Sequence, residues 1–204
     1  MPLVIMGLAG GDARRQRQNR FRPIQRLHLA LFIHAQHDGA VTTFVGAIPK
    51  KSSSRNGIVY AVSKEEFDAT TEREKNYTPT EITSTVQILS GSYKPKDEVW
   101  IYVNKFEEGE HQKSLPTREF PIVQSYIDIC LTGCLQIMNG FPDAGGFAGE
   151  FIESAEEWSK HWENDRVHPR RTRFTVPAAK DIDKLLQKHR PKLFAGIQLA
   201  PGRW

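Results

Sequence analysis

Apolar and polar positions alternate through most of the first half of the chain. His28 to His34 (HLALFIH) reads as a strand, Asp38-Gly39 as a tight turn, and Val41 to Ile48 as the hairpin partner. Lys50 to Asn56, rich in Ser and Lys, reads as a polar loop, and Gly57 to Val62 as a third strand. Thr80 to Leu89 sets Ile82, Val86 and Ile88 against Glu81, Thr83, Thr85 and Gln87, the pattern of a half-buried strand, with Ser84 a misfit on the apolar side. Glu98 to Phe106 (EVWIYVNKF) is a further β-rich run, reached through a turn at Gly91 and Pro95.

The period then changes. A short helix is expected between the third and fourth strands, because Ser63 followed by Glu66 is a capping box that satisfies two orphan amides at a helix start. After Pro121, the residues Ile122, Tyr126, Ile129, Gly133 and Ile137 recur at helical spacing. Ser154 and Glu157 repeat the capping-box spacing and predict a helix that stacks Trp158 over Trp162 at i,i+4. Pro177 opens a last helix carrying Ile182, Leu185 and Leu186. Runs of strands with interspersed and trailing helices give an α+β class, with a mostly antiparallel sheet or small barrel flanked by helices. At 204 residues the length suits a single domain over 1–204, of which about 147–204 reads as a helical carboxy-terminal extension.

Composition narrows the picture. Hydrophobic content of 39%, charged content of 25% and the lack of a stretch approaching the ~20 apolar residues of a membrane helix predict a water-soluble protein. The opening residues lack the basic start of a signal peptide. The arginines that follow (Arg14, Arg15, Arg17, Arg20, Arg22) lack the Ser enrichment of a transit peptide, so the expected compartment is the cytoplasm. Cys130 and Cys134 lie four apart, neither a redox pair nor half a common zinc site, and read as small buried thiols. His34 and His37 lack the Glu of a zinc-protease helix, and neither a metal nor a cofactor is expected. Charge is uneven: residues 1–60 hold nine Lys/Arg against two Asp/Glu, the remainder 19 against 22. That is compatible with an anionic substrate, an acidic partner or nucleic acid. Nucleic acid is a weaker reading, since Phe21 is the lone aromatic among the arginines.

One carboxylate stands out. Glu74 closes the short helix, where the negative end of the helix dipole is unfavourable to an acid. The segment around it is a Gly-initiated strand, a short capped helix, Arg73-Glu74, Tyr77 and a β-run, and it resembles the central signature of the γ-glutamylcyclotransferase-like family. Two further segments resemble the same family. Trp100-Ile101-Tyr102-Val103 is a strand preceding a helix in which Tyr126 and Gly133 keep a seven-residue gap, with Ile122-Val123 in place of a Pro-Ser pair. Phe147 to Glu150 with Trp162, Asp165, Arg166 and Pro169 resembles the carboxy-terminal extension of bacterial-type members.

The resemblance implies that Glu74 is the catalytic acid/base and that a small-molecule γ-glutamyl compound is the substrate, cyclised to 5-oxoproline with release of the amine. It places Met6, Gly7, Leu8 and Ala9 at the turn that holds the γ-glutamyl group, and Tyr77 and Tyr126 as pocket hydroxyls. An arginine of the basic amino-terminal third is expected to meet the substrate carboxylate. At the turn the chain departs from the family's Tyr-Gly-Ser-Leu: Met6 and Leu8 stand where Tyr and Ser are expected, and Leu donates no hydrogen bond. Two readings therefore stand side by side, an active cyclotransferase and a lapsed member retained as a ligand-binding or regulatory module. A start codon placed too far downstream is a further reading of the altered turn. The leaving group and the oligomeric state stay open at this level.

Overall fold

A computed structural model describes residues 3–5, 21–37, 40–75, 77–86, 98–105, 113–170 and 178–199. The first strands are β1 (Leu3–Ile5), β2 (Phe21–His37) and β3 (Ala40–Ala61). His37 pairs with Ala40, so β2 and β3 form the expected hairpin across Asp38 and Gly39. The hairpin is longer than the alternation predicts. Lys50 to Asn56, expected as a loop, belongs to β3, where Ser54, Arg55 and Asn56 pair with Gln25, Ile24 and Pro23. The polar composition is accommodated by an irregularity, since Gln25 pairs with Ser54 but Leu27 with Pro49, leaving residues of β3 looped out of register.

The chain continues through α1 (Lys64–Arg73), β4 (Tyr77–Glu81) and β5 (Val99–Asn104). Strands β2, β3, β1, β5 and β4 lie side by side in that order in an open sheet. All neighbours are antiparallel except β1 and β5, which run parallel with Ile5 beside Ile101. On β5 the alternation is strict: Val99, Ile101 and Val103 are buried with Val59 and Ile82, while Trp100, Tyr102 and Asn104 face the other way. Helix α1 lies against that second face, with the Phe67 ring 5.4 Å from Trp100 and the Thr71 hydroxyl 2.7 Å from that of Tyr102. The strand expected over Thr80 to Leu89 stops at Glu81 and passes into a 3₁₀ turn at Thr83–Thr85. Hydroxyls break the ladder there. Thr83 Oγ1 accepts the Val99 amide at 2.8 Å and Thr85 Oγ1 donates to the Ile82 carbonyl at 2.8 Å, so side chains take bonds that an extended strand would make. The misplaced Ser84 falls inside this turn.

The second half is built around α2 (Gln124–Gly140), which follows the two-residue strand β6 (Ile122–Val123). Ile127, Leu131 and Cys134 are fully buried against Phe147, Phe151 and Ile152 of α3 (Phe147–Ser154) and Ile182 and Leu186 of α4 (Ala179–His189). Strand β7 (Trp162–Asn164) runs parallel to β6, and after α5 (Pro191–Ala195) β8 (Gln198–Leu199) adds parallel to β7. The class is α+β, with one mixed five-stranded sheet and one small parallel sheet; no closed barrel forms among the described residues. The helix predicted from Ser154 is absent. Ser154 ends α3, and Glu157 adopts a left-handed backbone (φ 61°) that terminates any helix. Trp158 and Trp162 nevertheless stack, with centroids 5.1 Å apart, because the loop folds Trp158 onto β7.

Two buried acids fasten the last third of the chain to α2. Val123, at the N-cap position, has no side chain able to cap the helix. Asp165 does it instead: its carboxylate accepts the Ser125 amide at 2.7 Å, the Ser125 hydroxyl at 2.6 Å and the Arg170 amide at 2.7 Å. Asp128, with no exposed side-chain surface, receives Nε and Nη2 of Arg166, each at 2.7 Å, and the Gln124 amide at 2.9 Å. Arg166 also reaches Asp183 of α4 at 2.8 Å. The two Asp128 hydrogen bonds raise the Arg166 guanidinium above its ordinary range, so it is charged at any working pH. Arg166→Met leaves Asp128 buried and unpaired, and is expected to lower stability by about 3–5 kcal/mol in denaturant unfolding. The double variant Arg166→Met, Asp128→Leu should recover most of that loss.

Candidate active site

Glu74 sits at the C-cap of α1, set there by the length of a helix that Ser63 and Glu66 begin. Its amide donates to the Thr70 carbonyl at 2.8 Å and its own carbonyl accepts the Tyr77 amide at 2.8 Å. The helix end thus turns directly into β4. Lys105, just past β5, donates to the Lys75 carbonyl at 3.0 Å and ties this turn to the same end of the sheet. The Glu74 carboxylate is 27% exposed and lies 3.1 Å from Nε of Arg73, a much more exposed side chain.

Tyr77, the first residue of β4, pairs with Asn104, the last of β5. Paired residues point to one face of a sheet, so the two side chains are neighbours about 5 Å apart at their Cβ atoms. Burial, and then the Glu74 charge, push the Tyr77 phenol above its ordinary value. Tyr126, on the first turn of α2, comes to the same place from the other half of the molecule. Its ring meets Phe44 edge-on at 4.8 Å, and its hydroxyl accepts the Val45 amide at 3.2 Å. Burial pushes the Tyr126 phenol well up; the neighbouring Cys130 and Tyr77 push the same way, against the Val45 amide. Glu74 and Tyr77, with Tyr126 some fifty residues further on, therefore form an electrostatically linked row at one end of the five-stranded sheet. Both phenols stay protonated near neutrality and can act as hydrogen-bond donors.

The topology adds a fourth participant. Ile5 pairs with Ile101 in parallel, so β1 points towards the end of β5 that carries Asn104. Asn104 spans towards β3, accepting the Ala47 amide on Oδ1 at 2.8 Å. Met6, Gly7, Leu8 and Ala9 lie outside the described residues. Sequence reasoning passed over Asn104; the available signal was a polar residue closing an alternating apolar strand on the face of Trp100 and Tyr102.

Other chemical groups are placed elsewhere. Asp165 and Arg166 do not pair with each other but serve the α2 network described above. Cys130 and Cys134 are buried free thiols, with the Cys134 thiol pushed well up by burial. A groove of about 250 Å³ between β3 and α3, lined by Arg55, Asn56, Glu150 and Phe151 among others, contains neither Glu74 nor either tyrosine. Among the described residues no helix is long and apolar enough to cross a membrane.

In overall structure the chain is similar to a γ-glutamyl cyclotransferase, at 12% identity over 91% of this chain and 98% of that one, with a TM-score of 0.48. It is similar also to YkqA from Bacillus subtilis, at 12% identity and a TM-score of 0.42, where the match covers 60% of this chain and 40% of that one. A third likeness is to the Homo sapiens uncharacterized protein loc79017, at 11% identity over 85% of this chain and 88% of that one, with a TM-score of 0.44. No family model matches the chain, and no curated protein matches it in sequence.

The raised Tyr126 phenol carries a stability consequence. Below the ordinary tyrosine pKa of about 10, native and unfolded states hold the same proton. Above it the unfolded chain loses that proton first, so stability falls as pH rises towards the native value. Denaturant unfolding between about pH 9 and about pH 11 should show this decline, and Tyr126→Phe should make it shallower, leaving the part that Cys134 and Tyr77 contribute.

Proposed function

We propose that this chain is a γ-glutamylcyclotransferase-like enzyme that cyclises a γ-glutamyl amide or peptide to 5-oxoproline and expels an amine. The observation that carries the reading is the convergence of Glu74, Tyr77 and Tyr126, from three separate elements, at the end of the sheet towards which β1 runs.

The chemistry suits a single carboxylate. Glu74 takes a proton from the substrate's α-ammonium, and the freed amine attacks the γ-carbonyl carbon to form a five-membered ring. Held in the reactive conformer, this intramolecular attack begins with a large effective concentration, so no protein nucleophile is needed. The tetrahedral oxyanion is met by backbone amides of the Gly7 to Ala9 segment, as the resemblance implies. The carbon–nitrogen bond to the leaving group then breaks as Glu74 returns a proton to that nitrogen. From reactant to product the α-nitrogen gives up two protons in becoming a lactam N–H, and the departing nitrogen gains two in leaving as an ammonium. Glu74 relays them in turn. Tyr77 and Tyr126 donate hydrogen bonds to the bound γ-glutamyl group.

The second reading, a lapsed member that binds without turnover, is favoured by one feature: Leu8 offers no hydroxyl at the turn. Release of 5-oxoproline from a panel of γ-glutamyl compounds separates the two. Glu74→Gln is expected to reduce turnover by about 10²–10⁴-fold. Its stability should stay within about 0.5 kcal/mol of the parent, because the side chain is partly exposed and its ion pair is with a surface arginine. Turnover that survives the substitution in a folded protein would remove Glu74 from the mechanism. No turnover by the parent on any compound would leave the binding module.

A further inference from the structure

Asn104 has a donor to spare. A backbone N–H can meet only an oxygen, so the 2.8 Å contact with the Ala47 amide fixes the side-chain orientation: Oδ1 faces Ala47 and Nδ2 faces away. Among the described residues nothing accepts from Nδ2, although Asn104 is half-buried. The register sets the side chain beside Tyr77, which in turn feels the charge of Glu74. A strand-end amide anchored by its oxygen, with two N–H groups left over beside Tyr77, is suited to hold an acceptor.

We propose that Asn104 is a substrate-binding residue whose Nδ2 donates to the α-carboxylate of the γ-glutamyl group. This rests on the enzyme or binding reading given above, and it names which oxygen the residue serves. The α-ammonium is assigned to Glu74. The α-carboxylate is bonded to the same α-carbon as that ammonium and so lies within a few ångströms of it, on the Tyr77–Asn104 side.

Asn104→Asp separates binding from scaffolding, because the carboxylate keeps an acceptor for the Ala47 amide while losing both N–H donors and adding a negative charge. The probes are γ-L-glutamyl methylamide and its counterpart bearing an α-carboxamide. With the carboxylate probe, Asn104→Asp should raise KM by about 10- to 100-fold, with near-parental thermal stability. With the carboxamide probe, which can itself donate to the carboxylate introduced by the substitution, the penalty should shrink or reverse. If the parent does not turn over either probe, calorimetric Kd on the same pair replaces KM, so failure of the cyclotransferase reading is seen separately. An unchanged constant for the carboxylate probe overturns the proposal. So does an equal penalty on both probes, which would mark Asn104 as purely structural, and so does an absence of binding by the parent.

Discussion

A helix whose start is buried must have its first amides met from inside the protein, and in this chain that requirement falls on α2. The helix is buried along most of its length, and the residue before it, Val123, cannot cap it. Asp165 fills the role from forty residues away. The carboxylate is itself buried, so it needs a full set of donors, and the Ser125 amide, the Ser125 hydroxyl and the Arg170 amide provide them. One turn further along, Asp128 makes the same demand and Arg166 meets it. The two clamps bracket Tyr126. Its hydroxyl reaches the Val45 amide because the helix start around it cannot shift without leaving a charge or an amide unpaired. The segment after α3 is thus a support for the site, although it contributes no side chain to the row of candidate residues.

The sheet supplies the other half of the positioning. Antiparallel pairing brings the end of β5 and the start of β4 together, and β1, parallel to β5, runs towards the same end of the sheet. Helix α1 then needs only enough turns to return the chain to that end, and Glu74 is where it arrives. A carboxylate at a helix C-terminus gains nothing from the dipole. Arg73 offsets this locally, and Tyr77 places a protonated hydroxyl within its electrostatic reach. Rigid elements meeting at their ends, with the helix held by aromatic contacts to Trp100 and Tyr102, fix the positions of Glu74 and Tyr77 relative to the sheet.

The elements whose causes are local were legible. Ser63 and Glu66 start α1 through bonds within four residues. The Asp38-Gly39 hairpin, the alternation of Val99, Ile101 and Val103, and the burial of Ile182 and Leu186 follow from turn chemistry and from periods of two and 3.6. The motif around Glu74 was readable for the same reason, since strand, capped helix and Tyr77 are contiguous.

Where distant partners decide, local pattern failed. Ser154 and Glu157 carry a capping signal, yet Ser154 is the last residue of α3, and the stacking of Trp158 on Trp162 is achieved by a loop with a left-handed residue. The Lys50 to Asn56 stretch looks like a loop because its composition is polar, but β2 extends far enough to pair with it. Asp165 and Arg166 are adjacent in sequence, and each serves a different residue of α2. Asn104 is a polar strand end until Ala47 and Tyr77 are found beside it. The sequence by itself determined the α+β class, the capped helix and the carboxylate that ends it, because those rest on bonds a few residues long. Only the tertiary structure decided which hydroxyls and amides share that carboxylate's end of the sheet, because strand order and the burial of α2 are set by partners tens of residues away.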